Sequence, residues 1–163
     1  MKSCFCLLTT VLFTGLALAQ PSGCDKERSH DFDFWLGTWK VYGGDQYAGT
    51  NTIAPLYDGC IVQESWMGAN GVGGTSLNHY NPILKQWQQH WVWANGVTIT
   101  FTGGLQGKDM VLAGKRTTQA GKVVHQRITW TPNEDGTVRQ HGEVSNDQGK
   151  TWQTSYDLLY KKE

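Results

Sequence analysis

Phe32-Asp33-Phe34-Trp35-Leu36-Gly37-Thr38-Trp39-Lys40-Val41-Tyr42 is the stretch on which the fold turns. Two phenylalanines and two tryptophans fall within eight of its positions. At roughly 25 cal/mol per Å² of buried surface, that apolar payload is too large to leave in water. The rings must plug an interior.

Outward from this stretch the chain is a run of short alternating segments separated by turn residues, with no long helical pattern. After the strand opened by Gly37, strands are predicted at 50–56, 60–67, 75–80, 87–94, 97–102, 110–115, 123–131, 137–145 and 152–161. Gly43-Gly44-Asp45 turns the chain after the first strand, and Asn95-Gly96 and Asp135-Gly136 are tight hairpin signals. Gly103-Gly104 and Gly107-Lys108-Asp109 are read as bounding the turn before the seventh strand. Short connections imply antiparallel neighbours, and a ten-strand meander left open would expose hydrophobic edges. The expected fold is therefore all-β, a single closed antiparallel up-and-down barrel.

Residues 1–19 read as a signal peptide: Lys2 supplies the charged start, 5–18 the apolar run, and Ala17-Leu18-Ala19 the cleavage site before Gln20. The run is short and broken by threonines, so no membrane span is expected. The mature product would be secreted or periplasmic, with 20–31 as a leading segment and 32–163 as one barrel domain. Basic and acidic residues balance at 14 each, which argues against a nucleic-acid partner. Cys24 and Cys60 survive cleavage, and an oxidising compartment favours their pairing; a lipid-anchored Cys24 is the competing reading. Nothing in the sequence fixes the oligomeric state.

Gly37-Thr38-Trp39 resembles the G-x-W that opens lipocalin-type barrels. Together with Asp33-Phe34-Trp35-Leu36, Gln63-Glu64-Ser65-Trp66, Trp87-Gln88-Gln89-His90-Trp91-Val92 and the stretch from Arg139-Gln140 to Trp152, it resembles a bacterial domain-of-unknown-function family of secreted lipocalin-like proteins. Trp93 stands where that family would place an acidic residue. The resemblance covers nearly all the mature chain and implies a calycin-type barrel, lipocalin- or fatty-acid-binding-protein-like. It brings no settled activity with it.

Few constellations carry chemistry. Ser145-Asn146-Asp147-Gln148-Gly149-Lys150-Thr151-Trp152 matches the Asp-box pattern S-x-D-x-G-x-T-W, whose aspartate ties a hairpin together; one copy on a short chain excludes a sialidase propeller. Period two puts Trp87, Gln89 and Trp91 on one strand face, and Glu64 with Trp66 on another. Asn78 with Tyr80, His125 with Arg127 and His141 with Glu143 form similar pairs, and part of this set is expected to face solvent. The preferred reading is a site for a small, partly apolar molecule, held by Glu64, Trp66, Asn78, Tyr80, Trp87, Gln89, Trp91 and Arg127. The alternative is a small cavity enzyme, a hydrolase, lyase or isomerase, with Glu64 or Glu143 as base and Arg127 or a histidine stabilising anionic charge. A carboxylate titrating near neutrality would favour that alternative. A haem-binding barrel ranks third. The five histidines are dispersed without H-x-H or H-E-x-x-H spacing, so neither metal nor cofactor is expected.

Overall fold

A computed structural model describes residues 23–118 and 120–163. The signal-peptide reading of 1–19 lies outside them. The segment leading into the first strand, residues 23–36, makes two short 3-10 turns, Arg28–His30 and Asp33–Trp35. Ten strands follow: β1 (Gly37–Gly43), β2 (Gln46–Leu56), β3 (Ile61–Gly68), β4 (Gly73–Asn81), β5 (Gln86–Trp93), β6 (Thr98–Gln106), β7 (Asp109–Thr117), β8 (Val123–Pro132), β9 (Val138–Ser145) and β10 (Gln153–Lys162). Each pairs antiparallel with its sequence neighbours, and β1 pairs with β10 to close the barrel. The expected fold class is the observed one.

One boundary differs. β6 runs through Gly103-Gly104 to Gln106, where the glycines had suggested a turn. A Cβ on Gly103 would collide with the Val111 carbonyl, so its missing side chain is what lets β6 and β7 approach at this register.

An up-and-down barrel has two ends, and the leading segment fills one of them. Phe32 stacks on Trp35 at 4.8 Å between ring centroids and meets Trp130 edge-on at 5.2 Å and Trp87 at 5.7 Å. Trp39 donates from Nε1 to the Trp35 carbonyl at 2.8 Å. Phe32, Trp35, Trp39, Trp87 and Trp130 are fully buried. A disulfide between Cys24 and Cys60 fastens this segment to the β2–β3 turn at the same end. The Asp-box forms the β9–β10 turn at the other end. Asp147 Oδ1 accepts from the Thr151 amide at 2.9 Å and from Ser145 Oγ at 2.7 Å, and Oδ2 accepts from Thr151 Oγ1 at 2.6 Å. No helix among the described residues is long and apolar enough to cross a membrane.

Candidate functional site

Above the plug, toward the Asp-box end, the barrel encloses a cavity of about 330 Å³. Its walls are largely aromatic: Trp66 from β3, Trp91 and Trp93 from β5, Phe101 from β6, Tyr156 and Tyr160 from β10. Gln89, Gln126, Gln140 and Glu64 add polar groups. Alternation explains the membership of β5, whose residues 87, 89, 91 and 93 point inward while His90 and Val92 are exposed. Bare backbone makes room for two of the rings. A Cβ on Gly142 would strike the Tyr156 ring, and one on Gly74 would strike Trp91. A second hollow of about 370 Å³ shares Ala48, Trp66, Trp91 and Trp93 with the first and continues it toward the β3–β4 turn.

Among the described residues, Glu64 is the only carboxylate of this cavity turned into the barrel interior, and it is 4 % exposed. Asn51 Nδ2 donates to its Oε1 at 2.8 Å and Ser76 Oγ to its Oε2 at 2.7 Å. The network extends on both sides. Asn78 donates to Ser76 Oγ at 2.9 Å, and Gln89 Nε2 reaches the same oxygen at 3.4 Å. Asn51 also donates to the Tyr160 hydroxyl at 3.2 Å, which donates to Gln140 Oε1 at 2.7 Å. Burial disfavours the charged form and pushes the Glu64 carboxyl from its ordinary 4.5 up to about 7, against the lowering effect of the Asn51 and Ser76 hydrogen bonds. Burial, reinforced by the Glu64 charge, raises Tyr156 and Tyr160 as well, so both stay neutral at pH 7. Two buried polar atoms of the lining, Trp91 Nε1 and Gln126 Oε1, have no protein partner.

Five of the eight residues expected to hold a ligand, Glu64, Trp66, Gln89, Trp91 and Arg127, line the cavity; Asn78, Tyr80 and Trp87 do not. Strand direction is the reason. Residues 78, 80 and 87 lie on the β4 and β5 segments nearest the plug, and the leading segment fills that end. Trp87 packs against Phe32 and donates from Nε1 to Asp31 Oδ2 at 3.2 Å; Tyr80 packs against Trp87 beneath the Arg28 guanidinium; Asn78 donates to the Val62 carbonyl at 2.9 Å.

Arg127 and Glu143 require a further correction. They border the cavity as strand neighbours of Gln126, Ile128 and Gly142, but alternation carries their side chains to the outer face, where Arg127 pairs across to exposed Ala113. Arg127 Nε donates to Glu143 Oε2 at 2.8 Å, and the guanidinium lies 4.4 Å from the Trp152 ring. The Arg127 hydrogen bond is the main cause holding the Glu143 carboxyl below the usual range, the wrong direction for a base at neutral pH.

Period-two reading missed Gln126, whose neighbours Ile128 and Trp130 mark the inward face of β8, and it missed Asn51, which follows the same rule beside Ile53 on β2. The described residues contain no group of three or more histidine, cysteine or carboxylate side chains placed to hold a metal ion. No protein-family model matches this chain, and no curated protein matches it.

Proposed function

We propose that this is an exported small-molecule-binding barrel, of the secreted lipocalin-like kind its sequence resembles, with residues 1–19 as a removed leader. The ligand occupies the aromatic-walled cavity and its polar part meets Glu64. The observation that carries this reading is the cavity itself, about 330 Å³ within a closed barrel, with six aromatic side chains around a few convergent polar groups. That is the usual form of a small-molecule site. The disulfide supports the exported compartment. The test is mass spectrometry of molecules released by denaturing protein purified from its native source. The reading expects a discrete compound that is retained by the parent and lost from Trp91→Ala; recovery of none from either protein would count against it.

A second reading is favoured by one observation, the Glu64 carboxyl at about 7 in contact with the cavity. A group so placed exchanges protons at neutral pH and serves as a general base or acid. Incubation of the recovered compound with fresh protein separates the two readings. Binding leaves it unchanged, whereas catalysis converts it, and Glu64→Gln then abolishes the conversion.

A further inference from the structure

The geometry points to an organic cation as the ligand class, a small molecule whose protonated amine nitrogen sits against the Glu64 carboxylate while aromatic rings enclose it. This inference rests on the binding reading above and names what the cavity selects.

Charge carries the first step. Among the described residues, three charged residues border the cavity, Glu64, Glu143 and Arg127, and of these Glu64 alone turns its side chain inward. Two of them cancel, because Arg127 is bound to Glu143 at 2.8 Å and lies against Trp152. Glu64 is left with no cation facing it. Its neighbours on the packed strands are Asn51 on β2, Ser76 on β4, Gln89 on β5, and Tyr156 and Tyr160 on β10, all uncharged at neutral pH. An anion entering here would meet like charge from a buried carboxylate and find no counter-charge. A cation would supply the partner that a buried carboxylate otherwise lacks.

The walls carry the second step. Trp66, Trp91 and Trp93 come from adjacent parts of β3 and β5, and Tyr156 stands against Gly142 on the other side. Indole and phenol faces attract cations, more strongly where water is displaced, and aromatic boxes are a known way to hold alkylammonium groups. Hydrogen-bonding capacity agrees for the charged end of the ligand, while Trp91 Nε1, a buried donor without a partner, suits an acceptor elsewhere on it. Each carboxylate oxygen of Glu64 accepts one protein hydrogen bond and keeps a second acceptor site, and Gln126 Oε1 is a buried acceptor without a partner.

The test uses three soluble probes of nearly equal size and different charge, phenethylammonium, phenethyl alcohol and phenylpropanoate, titrated by calorimetry at about pH 8, where Glu64 is mostly ionised. In the full-length mature protein the ammonium is expected to bind at least about tenfold more tightly than the alcohol, with the anion weakest. Glu64→Gln should bring the ammonium down to the level of the alcohol. At about pH 7, binding of the ammonium should also release about half a proton, read from titrations in two buffers of different ionisation heat, while the alcohol releases none. This readout needs no variant. Binding of the alcohol as tight as the ammonium, or tighter binding of the anion, overturns the cation assignment and leaves the small-molecule site standing. If none of the three binds, the small-molecule reading falls and takes the inference with it.

Discussion

The buried carboxylate predicts a particular pH dependence of stability. The folded state holds the Glu64 proton up to about 7, against an ordinary value of 4.5, so between these limits the folded protein binds more protons than the unfolded chain. Stability must then fall as pH rises through that window. The cost is absent below 4.5 and complete above 7; a shift of about 2.5 units at 1.36 kcal/mol per unit makes it about 3 kcal/mol. His79 runs the other way, since burial, with the His90 charge, lowers it and its contribution is lost as pH falls. For this reason the comparison is between the parent and Glu64→Gln, in which the His79 contribution is common. Urea denaturation at about pH 5, 6, 7 and 8 gives the unfolding free energy of each protein. Glutamine adds a constant offset from altered bonding to Ser76, but it cannot titrate. Relative to the variant, the parent should lose about 2.5 kcal/mol between about pH 5 and about pH 8, the part of the full cost that this range spans. Two curves that stay parallel throughout would show that Glu64 is not held protonated, and the reasoning about its burial would fail.

The remaining predictions concern the two ends of the barrel. Trp87→Ala should cost about 3–5 kcal/mol in urea denaturation because it opens the plug beneath Phe32, whereas Trp91→Ala should weaken ligand binding more than it lowers stability. Reducing the Cys24–Cys60 bridge, or replacing both residues by serine, releases a loop spanning 36 positions; the chain-entropy model gives about 4 kcal/mol, visible as a lower urea midpoint. Asp147→Ala should lower Tm by a few degrees in thermal denaturation and leave probe affinity unchanged, since Asp147 is bonded within its own hairpin; normal melting with lost binding would contradict that role.

Much of this architecture was legible in the sequence because it is written locally. Turn residues such as Asn95-Gly96 and Asp135-Gly136 punctuate strands whose period is two, and all ten strands follow from them. The inward face of β5 was legible for the same reason. Depth along the barrel was not. Trp87 and Trp91 share a face and differ by only four residues, roughly 13 Å at the rise of a strand, yet one is sealed by the leading segment and the other lines the cavity. That outcome depends on where Phe32 and Trp35 settle, a contact made across the fold. The pairing of Arg127 with Glu143 was missed although Ile128 and Trp130 carried the apolar signal of β8. The bonds around Glu64 join side chains from β2, β3 and β4, so they exist only once the register is set.

The central claim, a ligand held above the plug and against Glu64, is tested most directly by the indole N–H signals of the eight tryptophans in a proton–nitrogen correlation spectrum. Trp66, Trp91 and Trp93 line the cavity, while Trp35, Trp39, Trp87 and Trp130 are buried at the closed end. On titration with phenethylammonium, the first three signals should move together along one saturating curve and the other four should stay in place. Movement of the closed-end set, or of Trp152 alone, with Trp66, Trp91 and Trp93 unmoved, would contradict the account.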